Sequence, residues 1–299
     1  MQVDSAAEPR LVAADLPRPE PGEKQLLIRV RAAGVTPTEL DWYPTNHRSD
    51  GTPRNGAVPG HEFSGEVVGL GEGAEGFEVG QQIYGLNDWF ADGATAEFCL
   101  TQPQNIASNP SALSHSAAAT VPIGALTAWQ GLLERVKIQR GERVLVHGAA
   151  GSVGIFAVQL AHLHGAHVIA TASSRTLDVV AAMGAEEVID YRASRFEDRA
   201  GKVDVVFDGV GGETLDRSWR VLKAGGRLVT IVEQASKNEF FIVEPNQKQL
   251  IEIARLLDDG TLKTFVGASV PLEDAPGAYS GTVSKAEGFG KVVVVIESG

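Results

Sequence analysis

The segment from Val144 to Ser174, VLVHGAAGSVGIFAVQLAHLHGAHVIATASS, constrains the fold more than any other part of the chain. An apolar run, Arg143 to His147, leads directly into Gly148-Ala-Ala-Gly151-Ser-Val-Gly154. A helical pattern over Ser152 to His164 follows, closed by Gly165 as a C-cap, and then a second apolar run, His167 to Thr171. Against the dinucleotide fingerprint Gly-x-Gly-x-x-Gly, the turn reads Ala149-x-Gly151-Ser152-Val153-Gly154, with one small residue standing for another. A glycine at 151 lets the backbone approach a pyrophosphate. Gly154 lets the helix pack close to the strand, and the helix N-terminus supplies N–H groups and a positive dipole end. A glycine triplet alone describes a plain strand-to-helix turn equally well; in the full strand–turn–helix–strand setting it predicts a dinucleotide site.

The end of the second strand selects the cofactor. An acidic residue about 20 positions past the first glycine binds the ribose 2′-hydroxyl of NAD. The corresponding stretch is Thr171-Ala-Ser173-Ser174-Arg175, without a carboxylate. Two hydroxyls and a guanidinium suit a 2′-phosphate, so NADPH is the expected cofactor. Tyr191-Arg192, after the next strand, can add to the same pocket. Ser173 and Ser174 can equally serve as caps of the following helix.

Around this segment the chain changes texture. The first 120 residues are rich in Gly and Pro, with short β-prone runs at Gln25–Arg31, Glu62–Leu70 and Ala94–Leu100. They predict an irregular barrel or sandwich. From Ser114 the chain is Ala-rich and helical, then alternates strands (Glu187–Asp190, Val203–Asp208, Arg227–Val232) with helices (Thr176–Met183, Glu213–Leu222). That alternation predicts a doubly wound parallel sheet. A further helix is expected over Asn246–Asp258, and β segments ending in KVVVVI close the chain. The expected domains are 1–115, 116–260 and a tail, 261–299, that rejoins the first.

Composition narrows the function. Lys plus Arg number 26 against 38 Asp plus Glu, a net charge of −12, which argues against a nucleic-acid partner. One cysteine excludes a disulfide scaffold and a Cys-based zinc finger. The opening MQVDSAAEPR lacks a signal-peptide pattern, and the apolar run Val292–Ile296 is too short to span a bilayer. A cytoplasmic protein without a membrane partner is expected.

The chain resembles the zinc-independent quinone oxidoreductases of the medium-chain dehydrogenase/reductase superfamily along nearly its whole length. The resemblance rests on Pro19-Glu-Pro-Gly22, Arg31-Ala-Ala-Gly-Val35, Val58-Pro-Gly-His-Glu-Phe-Ser-Gly65, Gly93-Ala-Thr-Ala-Glu97 and the glycine turn. Asp208-Gly-Val-Gly211, Lys223-Ala-Gly-Gly-Arg227 and Gly290-Lys-Val-Val293 complete it. It implies a GroES-like catalytic domain plus a Rossmann NADPH-binding domain, and hydride transfer from NADPH to a quinone or an α,β-unsaturated carbonyl. It also implies that Gly209, Val210, Val232, Phe241, Val243 and Lys291 join the cofactor site. The segment Phe240–Pro245 passes the nicotinamide in the family and can pair with its counterpart in a homodimer.

Departures from the family pattern define the remaining expectations. Zinc-dependent members of the superfamily use Cys and His ligands. This chain keeps Gly60-His61-Glu62 but has Thr36 where a cysteine would stand and no cysteine at Val121–Ala125. One His and one Glu make a poor zinc site, so no metal is expected. Quinone reductases often carry Asn after the Gly-Val pair and Tyr five residues on; these places hold Thr36 and Asp41, with Tyr43 displaced by two. Thr36, Tyr43 and His61 are the catalytic candidates, as donors to a developing oxyanion. His61 is alternatively a hydrogen-bonded relic. Trp42, Trp89 and Phe90 can wall a flat slot, or pack as ordinary core and loop residues. The family's opening strand looks missing or replaced. Two other functions stay open: an enoyl-thioester reductase of the same fold, and a non-catalytic NADPH-binding sensor or structural protein.

Overall fold

Arginines alternate with apolar residues over Leu26-Leu-Ile-Arg-Val-Arg, so the strand they form can bury one face. In the structure, a computed structural model that describes residues 1–4, 10–232 and 239–296, they lie in β3 (Leu26–Gly34), with Leu26, Ile28 and Val30 fully buried. Ahead of it, β1 (Gln2–Val3) and β2 (Leu11–Val12) form a short antiparallel ladder. The chain therefore does open on a strand, although residues 5–9 of the opening segment lie outside the described ones. On one side β3 pairs with β4 (Glu62–Leu70), which continues to β5 (Gln82–Leu86) and β7 (Ile106–Ser108). Its other side is shared by β6 (Phe98–Thr101) along the first half and by a C-terminal strand along the second.

The strand expected from Ala94 begins only at Phe98. Ala94 and Thr95 donate instead to the carbonyls of Gly60 and Pro59, at 2.6 and 2.9 Å, which pins that loop beside His61 rather than in a ladder.

The second sheet is parallel throughout. Its strands are β8 (Arg143–His147), β9 (His167–Ala172), β10 (Glu187–Asp190), β11 (Val203–Asp208), β12 (Leu222–Thr230) and β13 (Glu239–Phe240). Their order is β10-β9-β8-β11-β12-β13, the doubly wound arrangement of a dinucleotide fold, with the order reversing between β8 and β11. The helix expected over Glu213–Leu222 is shorter, Gly212–Ser218. Leu222 already pairs with Val203, and the register then slips so that Arg227 meets Val205.

The chain closes with β14 (Val266–Pro271) parallel to β15 (Lys291–Val295), and β15 runs antiparallel to β3. The chain forms two compact units, residues 1–122 with 245–299, and residues 123–244. These bounds differ from the expected 115/116 and 260/261. The helix Gln247–Asp258 belongs to the first unit, where the buried Tyr84 hydroxyl donates to Leu250 O at 2.6 Å and Gln247 donates to Pro103 O at 3.0 Å. Among the described residues no helix is long and apolar enough to cross a membrane.

Candidate active site

The glycine turn shows what each glycine is for. Gly148 leaves β8 at φ +71°, a conformation that side chains disfavour. A Cβ on Gly154 would lie 2.1 Å from the Gly148 carbonyl oxygen and 2.7 Å from the Ala149 Cα, so helix and turn meet backbone to backbone. Gly151 is different. It is exposed, and a Cβ there would meet only the Gly148 oxygen, at 3.1 Å. Space above Gly151 and close contact at Gly154 are what a phosphate cradle at a helix N-terminus requires. Ala149 is buried and donates to Thr171 O at 3.2 Å, while Ser152 and Val153 lead into the helix Gly154–Leu163.

At the fold's switch point, Gly209 and Val210 follow β11 beside this turn. Gly209 N donates to His147 O at 3.3 Å, and the Val210 side chain approaches Gly148. The buried Asp208 carboxylate fixes the loop. It accepts from Val210 N, Gly211 N and Thr230 Oγ1 at 3.2, 3.0 and 2.8 Å. Val232, half-exposed, donates its N–H to the same Thr230 oxygen. Asp208 was legible only as a motif residue. Its clasp appears when the ends of β11 and β12 lie side by side.

At the end of β9, Ser173, Ser174 and Arg175 are brought together with Tyr191 and Arg192. Asp190 of β10 pairs with Ala172 of β9, and Tyr191 N donates to Ala172 O at 3.2 Å. Arg192 lies over the Tyr191 ring, and Arg175 is exposed with no ion pair among the described residues. The capping alternative is not what the serines do. The Ser173 hydroxyl meets Thr176 Oγ1 at 3.2 Å, and neither serine accepts from a helix N–H. Beneath the turn, His147 bridges Thr171 and Ser218 at 3.0 Å each. Burial pushes its pKa down to about 3, with Arg217 adding to the effect, so it is a neutral structural bridge.

Phe241 and Val243 are buried in the second unit. The Phe241 ring packs toward Gly131 and under the Arg135 guanidinium, 5.3 Å from the centroid. Lys291 lies in the first unit, on β15, buried against the Glu62 carboxylate.

Among the catalytic candidates, Thr36 caps the 3₁₀ turn Pro37–Asp41, and its hydroxyl makes no hydrogen bond among the described residues. Tyr43 is exposed and stacks on His47, with ring centroids 4.1 Å apart. His61 is 2% exposed and both ring nitrogens are engaged, Nδ1 with Glu39 Oε1 at 2.5 Å and Nε2 with Trp89 O at 2.9 Å. That leaves no nitrogen for an acceptor, and the role of proton donor expected for His61 gives way to a structural one. Trp42 and Trp89 enclose it, 6.3 and 5.2 Å away between centroids. Sequence reasoning missed Glu39, which lies on a short polar turn with no periodicity to mark it as buried.

Two family models match the chain, "Alcohol dehydrogenase GroES-like domain" over residues 22–128 and "Zinc-binding dehydrogenase" over residues 183–294. A "Probable zinc-binding oxidoreductase, mitochondrial" from Arthroderma benhamiae is 32% identical, covering 86% of this chain and 84% of its own length. The chain belongs to the medium-chain dehydrogenase/reductase superfamily. An Arabidopsis thaliana superfamily member, "NADPH-dependent alkenal/one oxidoreductase, chloroplastic", is 32% identical over 85% of this chain, which spans 67% of that protein. The solved quinone oxidoreductase from Coxiella burnetii superposes with a TM-score of 0.88 at 29% identity, covering 99% of this chain and 98% of that one. The CurK enoyl reductase superposes at 0.84 and 26% identity, with 99% and 98% covered. Medium-chain dehydrogenase/reductases depend on pyridine nucleotides, and the turn, Gly151 and the exposed Arg175 fit one. A catalytic zinc ion does not fit. His61 has no free nitrogen, Glu62 is paired with Lys291, and Cys99 is buried in β6. Among the described residues no other group of metal-binding side chains converges.

Proposed function

We propose that the chain is an NADPH-dependent oxidoreductase that reduces quinones or α,β-unsaturated carbonyls without a metal. The observation that carries the cofactor choice is the end of β9, where Ser173, Ser174, Arg175, Tyr191 and Arg192 gather with no carboxylate in the 171–175 stretch. Ser173, Ser174 and the two guanidiniums hold the 2′-phosphate. Ser152 and Val153 offer backbone N–H groups to the pyrophosphate at the helix N-terminus, and Gly151, its own N–H held by Gly148 O at 2.9 Å, leaves room for it to approach. Gly209, Val210, Val232, Phe241 and Val243 shape the rest of the nucleotide pocket. NADPH, when bound, supplies the hydride. Thr36 presents an unengaged hydroxyl as donor to the acceptor's developing oxyanion. Trp42 and Trp89, set edge to face with centroids 5.7 Å apart, offer aromatic contact to a flat acceptor.

Enoyl thioesters are a second acceptor class, favoured by the superposition on the CurK enoyl reductase. The chain acts as a homodimer through β13, an edge strand of the parallel sheet followed by Ile242, which is 65% exposed. Sedimentation as a monomer at micromolar concentration removes the dimer.

The deciding experiment mixes the protein with NADPH or NADH and screens quinones, enones and enoyl-CoA esters for cofactor oxidation. NADPH preference with quinone or enone turnover is expected. Tight NADPH binding with no turnover of any acceptor supports a sensor or structural protein instead.

A further inference from the structure

The two contacts of His61 determine its protonation. Nδ1 faces a Glu39 carboxylate oxygen at 2.5 Å, and Nε2 faces the Trp89 backbone carbonyl at 2.9 Å. The carbonyl only accepts hydrogen bonds, and the carboxylate only accepts them while it is ionised. A neutral imidazole carries one N–H, so it would turn a lone pair toward one of these oxygens. With Glu39 ionised, both contacts are satisfied together only by an imidazolium. Gly60 N also donates to Glu39 Oε1, at 2.6 Å, which orients the carboxylate toward the ring. The pair is inaccessible to water, with His61 at 2% exposure and Glu39 at 0%.

The surrounding charges agree. Burial opposes a charge on His61, but the Glu39 carboxylate, its hydrogen bond and the Trp89 carbonyl outweigh it, and the pKa lies above the ordinary histidine value. The cation that opposes this is Arg54, which is itself bound to Asp92 at 2.5 Å. Lys291, paired with Glu62, and the Tyr279 hydroxyl, bonded to Thr95, also feel the Glu39 carboxylate.

The imidazolium joins three separate segments. Glu39 lies on the 3₁₀ turn whose first hydrogen bond, Glu39 N to Thr36 O, holds the Thr36 end. His61 opens β4. Trp89 lies in the loop after β5, where Arg54 holds the next two carbonyls, Phe90 O at 2.8 Å and Ala91 O at 3.2 Å. The loop's backbone is thus held by two cations, one at Trp89 and one just beyond it.

We propose that Glu39 is a positioning residue: its carboxylate keeps His61 doubly protonated, and the imidazolium grips the Trp89 carbonyl and so fixes the edge-to-face pair of Trp42 and Trp89 against which a flat acceptor packs. The last clause rests on the proposed reductase function; the imidazolium clamp does not. A ring in this state has no lone pair for a metal ion and no proton it can release without breaking a contact. His61 is therefore a fixed cation in the resting protein, and it loosens the 87–92 loop only when the pH rises through its elevated pKa.

The test uses ¹⁵N NMR of the histidine ring nitrogens in the full chain, with the His61 signal assigned by its loss in His61→Gln. Both His61 nitrogens should remain protonated at pH 8. In Glu39→Gln an amide oxygen in the place of Oε1 can still accept from Gly60 N and from Nδ1, keeping the geometry without the charge, and His61 should be neutral at pH 7. A neutral His61 in the unmodified protein at pH 7, or an unchanged titration in Glu39→Gln, overturns the clamp. Glu39→Ala should raise hydrogen exchange of the 87–92 amides at least tenfold, and the KM for a quinone or enone by about as much, with NADPH affinity unchanged. Glu39→Gln, whose neutral ring turns an unprotonated Nε2 toward Trp89 O, should raise both as well, whereas a purely steric role for residue 39 would leave both unchanged. Unchanged exchange in Glu39→Ala overturns the positioning role. Faster exchange without any acceptor turnover leaves the clamp standing and removes the proposed reductase function. If Glu39→Ala does not fold, the Glu39→Gln titration still decides the protonation.

Discussion

Gly154 and Gly151 lie three residues apart in one turn, yet an added methyl group should act on different properties at each. At Gly154 the methyl would fall 2.1 Å from the Gly148 oxygen and 2.7 Å from the Ala149 Cα, far inside the usual ~3.5 Å of non-bonded contact. Both neighbours are backbone, so no rotamer change relieves the clash. Overpacking of this kind costs about 1–3 kcal/mol, and a clash on two sides belongs at the upper end. At roughly 2–4 °C per kcal/mol for a protein of this size class, Gly154→Ala should lower the melting temperature by about 6–12 °C. At Gly151 the methyl meets a single atom at 3.1 Å and otherwise projects into open space. Its stability cost is small, and the entropy of the unfolded chain offsets part of it, by ~0.4–1 kcal/mol. The methyl does stand where a pyrophosphate must approach. Gly151→Ala should therefore melt within about 2 °C of the parent, while its NADPH Kd rises tenfold or more, about 1.4 kcal/mol. Scanning fluorimetry and titration of NADPH fluorescence read the two quantities. A Gly151→Ala protein that binds NADPH like the parent refutes the cradle, and an unshifted Gly154→Ala refutes the packing argument.

Arg175→Ala should weaken NADPH about tenfold and leave NADH unchanged, the lower range for a charged hydrogen bond at an exposed site; equal losses for both would show that the arginine does not read the 2′-phosphate. Tyr84→Phe removes the hydroxyl's hydrogen bond to Leu250 O, a carbonyl that its helix ladder still engages, and should cost about 1 kcal/mol in denaturant unfolding, with NADPH binding intact. His147 is held neutral, with a folded pKa of about 3 against 6.5 when exposed, so the unfolded chain binds the extra proton and stability falls as pH drops through that interval. His147→Gln should flatten the decline relative to the parent over about pH 6 to 4, and parallel curves would contradict the assignment. Burial pushes the Cys99 thiol well above its ordinary pKa, so a thiol reagent should label it only as the protein unfolds, at the global unfolding rate.

What was legible in the sequence follows from how local the physics is. β4, β8, β10 and β11 begin and end where their apolar runs do, because a buried strand is apolar along its own length. The glycine turn was legible because strand, glycines and helix are contiguous. Tyr191 N reaches Ala172 O because successive strands of a parallel sheet end on the same edge, and the place of Tyr191 just after a strand is all that the sequence marks. Glu39 was not legible. Nothing in Pro37-Thr-Glu-Leu-Asp41 marks its third residue as buried, and its partners His61 and Gly60 lie some twenty positions on. His61 was seen, but not its state. That depends on the Trp89 carbonyl, a backbone atom whose position no side-chain pattern encodes. The premature start expected for β6 failed for a related reason, since the Ala94 and Thr95 N–H groups were drawn to Gly60 and Pro59 by long-range loop contacts.

The pairing of β15 with β3 also sets an order of events during synthesis. The strand Lys291–Val295 joins the sheet alongside residues Ala32–Gly34, which leave the ribosome some 260 residues earlier. Until it arrives, β3 has an open edge over that stretch, and the nascent first unit lacks Val293 and Val294 from its interior. Residues 123–244 form a contiguous unit, and every strand of its parallel sheet lies within it. Translation should therefore release a folded nucleotide-binding unit while the unit carrying Thr36 and His61 is still waiting for its last strand, exposed to chaperones and to aggregation through that edge.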